Sequence, residues 1–351
     1  MDEAVAAAAA GSDAYVVGGA VRDELLGRPV VDVDVVCADP QAAARAYARQ
    51  VDGAAFMLSE RHGAWRVAFR DGRTVDFMPL LDGIESDLRT RDFTINAIAR
   101  RIAAADYVDP LRGRRDLEAR LLRAVTPGIF RDDPLRLLRA VRLEDELRFR
   151  LEPETERILR SQADLVTQPA GERILGELHR LSVAGFARLH ELGLLERLGG
   201  NVRGDGAGRI DSSAFRLVWF LGKALEALPI SNELRRYART LLRARCPQDA
   251  SPRAVHRFRR TTEPWALDAL ALWQCDDELV RAVEAARASE PAGPLLRGDE
   301  LEVPPGPEVG RLLDRIAEER AAGTITTREE ALDLVRREAR NPGDEPPIEE
   351  A

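Results

Sequence analysis

Residues 18–36 read GGAVRDELLGRPVVDVDVV, and this stretch decides the fold. It is preceded by AYVV at 14–17, so residues 14–19 read as a short buried strand ending in two glycines. Residues 20–27 then read as a helix closed by Gly27. Residues 30–37, VVDVDVVC, alternate strictly and read as a second strand. Period-2 alternation places Val31, Val33 and Val35 on one face and Asp32 and Asp34 on the other, with the two aspartate β-carbons roughly 7 Å apart. Carboxylates that close repel one another unless a cation lies between them, and hard divalent cations prefer such oxygens. A DxD pair alone is common on solvent-facing strands, so its neighbours decide its meaning.

Further on, AWRVAFRDGRTVDFM at 64–78 forms two strand-like runs around Asp71-Gly72, a hairpin signal. In its second run Thr74, Asp76 and Met78 share a face. If that run lies beside 30–37, Asp76 completes a three-carboxylate cluster able to hold two metal ions about 4 Å apart for phosphoryl transfer. Gly18 and Gly19 sit between a strand and a helix, where backbone N–H groups point at anions, and Arg22 is one turn into that helix. Glycines, arginine and aspartates at this spacing place a triphosphate next to a metal pair.

The chain has 351 residues, 45% hydrophobic and 32% charged, enough apolar content for two to four domains. No run of about 18 apolar residues is present. The N-terminus lacks a basic n-region, which reads against a secretory signal. Cys37, Cys246 and Cys275 are scattered without CxxC spacing. A disulfide framework and a zinc cluster are both disfavoured, and the expected compartment is the cytoplasm. Net charge is −8, which alone argues against non-specific nucleic-acid binding. Locally the sign reverses: 89–150 carries 15 Arg against 10 Asp/Glu, and 235–260 carries 9 Arg against one Asp with Tyr237, His256 and Phe258 interleaved, a mixture that suits RNA backbone and base contact. Lys223 is the only lysine, so basicity is carried by arginine, which suits bidentate phosphate contact and is also what a GC-rich genome would encode.

From residue 86 onward the pattern reads as almost wholly helical. The expected fold class is therefore α+β: a small mixed α/β head of about 125 residues, then helical domains. GGNVRGDGAGRIDS at 199–212 reads as a loop, and PGDEPPIEEA at 342–351 as a disordered acidic tail.

Taken together, Gly18 to Asp34 match GGxVRDxLLGRxxxDxD at every defined position. The sequence thereby resembles the class II tRNA nucleotidyltransferase and bacterial poly(A) polymerase family. The resemblance implies a polymerase beta-like nucleotidyltransferase head over 1–125, a helical neck with a nucleotide-template helix over 126–198, the loop 199–212, a helical body over 213–290 that contacts RNA, and a helical tail over 291–341. It implies Mg²⁺ as a two-metal cofactor on Asp32, Asp34 and Asp76, CTP and ATP as substrates, and the tRNA 3′ end as partner. Oligomeric state is not readable.

RDFTINA at 91–97 is, by the same resemblance, the ribose and nucleotide element, with Arg91, Asp92 and Asn96 as polar members. DPLRGRRDL at 109–117 reads as a structural turn and helix cap. FRDDPLRLLRAVR at 130–142 resembles the family's EDPLRxLRAxR, with Asp132 in place of glutamate. Asp133, Arg136, Arg139 and Arg142 recur every three residues, and on a helix they form a slanted polar band in which Asp133 and Arg136 can pair. The resemblance makes Asp133 and Arg136 the base readers, with Arg139 and Arg142 near the nucleotide. The chemistry is coherent: a carboxylate accepts from the exocyclic amine of cytosine or adenine while a guanidinium donates to the adjacent ring nitrogen. Uracil and guanine mismatch both groups. GERILGEL at 171–178 matches ERxxxE, with Glu172, Arg173 and Glu177 bracing the template helix.

The sequence also departs from the family pattern. Only 77–90 lies between Asp76 and Arg91, which leaves little room for the flexible basic loop of many members, and the usual arginine shortly after the third carboxylate is absent. Leu143-Glu144-Asp145-Glu146 stands where small apolar residues are expected, which puts helix packing in question. The expected function is CCA addition to the tRNA 3′ end with pyrophosphate release. The alternatives are CC-only addition, which the short loop suggests, poly(A) polymerisation, a nucleotidyltransferase acting on a small molecule or protein, and a non-catalytic RNA-binding protein.

Overall fold

β-Branched alternation makes Asp32–Cys37 a strand (β2); Val33 and Val35 are buried on one face, and Val36, on the face of Asp32 and Asp34, is buried in a cluster with Tyr15, Val17 and Leu88. The structure is a computed structural model that describes residues 13–102, 106–291, 293–301 and 303–340. The alanine-rich stretch 1–12 and the acidic tail 342–351 lie outside the described residues. β2 sits at the centre of a seven-stranded sheet of order β3-β4-β5-β2-β1-β6-β7. The others are β1 (Tyr15–Val17), β3 (Ala54–Ser59), β4 (Ala64–Ala68), β5 (Thr74–Pro79), β6 (Ala99–Arg101) and β7 (Tyr107–Val108). The pairings are antiparallel except β2 with β5, which run parallel with Asp34 beside Asp76. The hairpin expected around Asp71-Gly72 is present, and Gly72 takes the positive φ that the turn requires. The sequence reading missed β3, whose AAFMLS lacks apolar–polar alternation, and β6 and β7, which are short and lie within the stretch read as helical.

Helix α1 (Gly19–Leu25) follows β1, and α2 (Pro40–Val51) follows β2. α2 starts where it does because the Asp39 carboxylate accepts from the Ala42 N–H at 3.0 Å and Pro40 pre-sets the first turn. It buries Ala43, Ala44 and Tyr47, and the Tyr47 ring packs on Phe77 at 5.8 Å. A short helix α3 (Ile84–Arg89) occupies the segment after β5. Next comes α4 (Gly113–Ala119), whose first N–H groups, on Gly113 and Arg114, donate to Asp109 at 2.6 and 3.0 Å. A Cβ on Gly113 would stand 2.0 Å from the Thr94 carbonyl oxygen, so only glycine lets this helix sit against the RDFTINA segment.

Helix α5 (Ile129–Asp132) precedes the long helix α6 (Arg136–Leu147), which buries Leu137, Leu138, Ala140, Val141 and Leu143. It packs beside α8 (Gly171–His179) and α9 (Val183–Glu191); α7 (Pro153–Ser161) completes this set. The acidic run at 144–146 is fully employed. Glu144 accepts from Arg188 and the Leu151 N–H, Asp145 takes both the N–H and the hydroxyl of Ser182, and Glu146 pairs with Arg142 and Arg180. Packing is therefore maintained by polar bridges where small apolar residues were expected.

The chain divides into two compact units, residues 1–201 and 202–351. In the second, α10 (Ser213–Leu221), α11 (Asn232–Arg243), α12 (Pro252–Thr262), α13 (Ala266–Leu272) and α14 (Asp277–Ala288) form one core. Helices α15 (Pro307–Ala321) and α16 (Arg328–Arg340) gather a cluster of Leu296, Leu301, Leu312, Ile316, Ile325, Ala331 and Val335. Gly206 in the predicted 199–212 loop is pressed onto Trp219, where a Cβ would meet the ring at 2.3 Å. Cys246 and Cys275 are joined in a disulfide with Cα atoms 5.7 Å apart, which corrects the expectation of unpaired cysteines. Sequence spacing could not show this, because the ends of α11 and α13 bring the two together only in the folded unit.

Candidate active site and a separate arginine surface

Three carboxylates share one face of the sheet. Asp32 and Asp34 project from β2, and Asp76 lies beside Asp34 in register on β5. The Asp32 carboxylate accepts from the Thr74 hydroxyl at 3.0 Å. Burial holds the Asp34 carboxyl above its ordinary value; Arg91 opposes this, Asp76 and Asp32 add to it, and Arg139 opposes it. Asp76 is held by Arg66 of β4 through two hydrogen bonds of 2.7 Å each. Among the described residues, no three metal-ligating side chains converge on one point. The donor set is nevertheless three hard oxygen ligands around a buried, incompletely compensated anion, which fits a divalent cation such as Mg²⁺.

Beside the carboxylates runs a polar chain. Gly18 has φ +73°, and a Cβ there would lie 3.5 Å from both Arg91 Nη1 and Asp34 Oδ2, so the glycine keeps the backbone close to both groups. Arg22 is nearly buried and forks onto Asp23 at 2.9 and 2.8 Å, while its other nitrogen donates to Asn96 Oδ1 at 2.8 Å. A Cβ on Gly19 would lie 3.5 Å from Arg22 Nη2. Asn96 donates in turn to Asp92 at 2.9 Å, and Asp92 pairs with Arg139 at 2.8 Å. Arg91 is oriented by Asp87 at 2.8 Å. Gly18, Gly19, Arg22, Arg91, Asp92, Asn96 and Arg139 are thus brought together beside Asp34.

The template region differs in detail from the slanted band read in the sequence. Asp133 is extended, with φ −144°, and α6 begins only at Arg136, so the two do not pair. Asp133 pairs with Arg173 at 2.9 Å, and Arg136 donates to the Thr90 carbonyl at 3.0 Å. Burial pushes the Asp133 carboxyl up, but the Arg173 hydrogen bond and the Leu135 N–H outweigh it and leave it below its ordinary value. Arg142 turns inward, 7% exposed, and pairs with Glu177 at 2.5 Å and Glu146 at 2.7 Å. The bond to Glu177 ties α6 to α8. Arg66, Asp23 and Asp87 escaped the sequence reading; counting outward from a two-residue Asp71-Gly72 turn sets Val67 opposite Asp76, one residue off the observed register that pairs Asp76 with Arg66.

In the second unit, Arg235, Arg236, Arg239 and Arg243 on α11 line a cavity of about 700 Å³ with Asn232, Thr240 and Thr261. Tyr237 and Phe258 do not join this face: both are buried, and the Tyr237 hydroxyl donates to Asp268 at 2.5 Å. The interleaved aromatics belong to the core, because α11 is amphipathic and turns Leu234, Tyr237, Ala238 and Leu241 inward.

Residues 14–123 match the Poly A polymerase head domain. The chain is 35% identical to an A-adding tRNA nucleotidyltransferase of Deinococcus radiodurans, covering 92% of this chain and 95% of that one. The chain belongs to the class II tRNA nucleotidyltransferase and bacterial poly(A) polymerase family. It is 42% identical to a CC-adding tRNA nucleotidyltransferase of Geobacter sulfurreducens, over 49% of this chain and 40% of that one. A CCA-adding enzyme of Geobacillus stearothermophilus is 36% identical over 50% and 47%. Among solved structures, a CCA-adding enzyme complexed with ATP superposes with TM-score 0.79 at 21% identity, covering 96% of this chain and 94% of that one. A Thermotoga maritima CCA-adding enzyme complexed with tRNA gives 0.74 at 22%, covering 93% and 92%. These likenesses establish the α+β fold and nucleotidyltransferase membership. Among the described residues no helix is long and apolar enough to cross a membrane.

Proposed function

We propose that this chain extends the 3′ end of tRNA with C and A from CTP and ATP, releasing pyrophosphate. The observation that carries the reading is the parallel register of β2 and β5, which places Asp34 beside Asp76 and next to the Arg22–Asn96–Asp92–Arg139 chain. Asp32 and Asp34, with Asp76, would hold Mg²⁺. Bound there, the ions supply charge for the triphosphate and lower the pKa of the attacking 3′-hydroxyl. Arg91 and Arg22 beside Gly18 and Gly19 hold triphosphate oxygens. Asp92 and Asn96 offer hydrogen bonds to the ribose hydroxyls. Asp133 accepts from the exocyclic amine of the incoming base and Arg136 donates to its ring nitrogen, each exchanging its present partner for the base. One such pair accepts cytosine and adenine and rejects uracil and guanine.

The arginine cavity of α11 gives four guanidinium groups to the RNA backbone. We further assign the neck to 126–198, the body to 213–290 and the tail to 291–341. Residence in the cytoplasm follows from the proposed substrate, since the bridged Cys246 and Cys275 no longer argue for a reducing compartment.

A second reading, addition of the terminal A alone, is favoured by full-length likeness to an A-adding enzyme. The short helix α3 in the 77–90 interval is the feature that bears on this choice. The test offers CTP, ATP or both, with Mg²⁺, to tRNA transcripts ending at the discriminator base or after CC, and products are resolved at single-nucleotide length. Two additions with CTP and a third with ATP support CCA addition. Extension of only the CC-ended transcript, and only by ATP, establishes A addition. A halt after two cytidines establishes CC addition, and long tails on unrelated RNA establish a poly(A) polymerase.

A further inference from the structure

The third carboxylate is not free to meet a cation. Arg66 and Asp76 stand directly opposite one another in the antiparallel β4–β5 pair, a position that brings side chains into contact. The guanidinium forks onto both Asp76 oxygens at 2.7 Å, and the two side chains are 33% and 16% exposed. A bidentate arginine uses the lone pairs that a hard cation would use, so the two compete for the same oxygens. This pairing and the Thr74 hydroxyl on Asp32 both occupy carboxylate oxygens of the shared face. With a third of its side chain exposed, Arg66 remains accessible to solvent while it holds Asp76.

We propose that Arg66 is a positioning residue that withholds Asp76 from divalent cations until a nucleotide arrives. The triphosphate offers Arg66 a stronger anion than a single carboxylate, and Asp76 is released to its neighbours Asp34 and Asp32. In the nucleotide-free protein the carboxylate face therefore binds divalent cations weakly, through Asp32 and Asp34 alone. Arg66 also supplies, from β4, a guanidinium near the third carboxylate of a chain that lacks one shortly after it. The inference rests on the carboxylate-site reading given above.

The test titrates Mn²⁺ into the full chain without nucleotide and follows free Mn²⁺ by electron paramagnetic resonance. Arg66→Gln tightens Mn²⁺ binding about tenfold or more, because it removes a cation a few ångströms from the site. Arg66→Lys, which keeps charge but loses the fork, falls between. Adding Asp76→Asn to Arg66→Gln abolishes the gain. A non-hydrolysable CTP analogue raises the Mn²⁺ affinity of the wild type toward that of Arg66→Gln. Equal affinities in wild type, Arg66→Gln and Arg66→Lys overturn the role of Arg66. If Arg66→Gln does not fold, Arg66→Lys and the nucleotide-dependent shift of the wild type decide. Mn²⁺ binding that is insensitive to Asp34→Asn instead overturns the carboxylate-site reading.

Discussion

Arg142 is the residue whose replacement separates bracing from nucleotide contact most sharply. Its side chain is 7% exposed and bridges two carboxylates: Glu177 on α8 at 2.5 Å and Glu146 one turn along α6 at 2.7 Å. Arg142→Met keeps the aliphatic stem and strands Glu177, which is 15% exposed. Breaking a buried pair from one side costs about 3–5 kcal/mol, because an uncompensated charge stays behind. Glu146 keeps its bond from Arg180 at 2.9 Å and both carboxylates retain some water, so the lower end, about 3 kcal/mol, applies. For a unit of this size that corresponds to a fall in Tm of roughly 6–12 °C. The double replacement Arg142→Met/Glu177→Met removes both charges and recovers at least about half of the loss. The assay is hydrogen exchange of peptides spanning 136–147 and 171–179, which reads the local free energy of α6 and α8. A loss below about 1 kcal/mol, together with a raised KM for nucleotide, would refute the bracing argument and return Arg142 to the nucleotide.

Asp34→Asn should leave the fold intact and reduce nucleotide incorporation by about a thousandfold or more, measured at saturating Mg²⁺ and matched circular dichroism. Gly113→Ala should cost about 3 kcal/mol, read by chemical denaturation, because its Cβ would overlap the Thr94 carbonyl. Cys246→Ser should lower stability by about 3–4 kcal/mol under oxidising conditions, as the loss of a cross-link spanning 29 residues predicts, and change nothing in excess reductant. Burial holds His256 below its ordinary value of 6.5, with Glu318 opposing and Arg260 and Arg259 adding. A depressed histidine contributes stability that is complete above pH 6.5 and lost as pH falls through its folded-state value. Thermal unfolding between pH 7.5 and 5 should therefore show an acid-dependent loss that His256→Gln flattens.

Much of the head was legible because its signals are local. Val-Asp alternation gives β2, Asp71-Gly72 gives the hairpin, and the glycine before Arg22 gives a strand–helix turn, each within a dozen residues. The neighbouring of β2 and β5 was readable only as a condition, since pairing across a crossover depends on contacts that no window contains. The Asp133–Arg173 pair and the Cys246–Cys275 bridge were missed for the same reason: each joins residues distant in sequence. Arg66 lies only 10 residues from Asp76 and was missed because the hairpin register is offset by one residue from that of a two-residue turn. The inward turn of Tyr237 was missed for another reason. Arginine density marks 235–260 as a basic surface, whereas the 3.6-residue spacing of Leu234, Tyr237, Ala238 and Leu241 places the ring in the core.

The single parallel pairing in the sheet has a consequence for how the protein comes into being. Asp32 and Thr74 meet across 42 residues of chain, and between them α2, β3 and β4 must already be laid down. Closing so long a loop is slow, and a parallel ladder rewards it only once the crossover is complete. During synthesis, Asp32 and Asp34 leave the ribosome well before Asp76. Each carboxylate is then solvated and harmless until the last central strand docks. The mutual repulsion of the cluster is met only at that step, with Arg66 and Asp76 arriving side by side on one hairpin. The hairpin delivers the third acid already neutralised, which lowers the electrostatic barrier to closing the sheet.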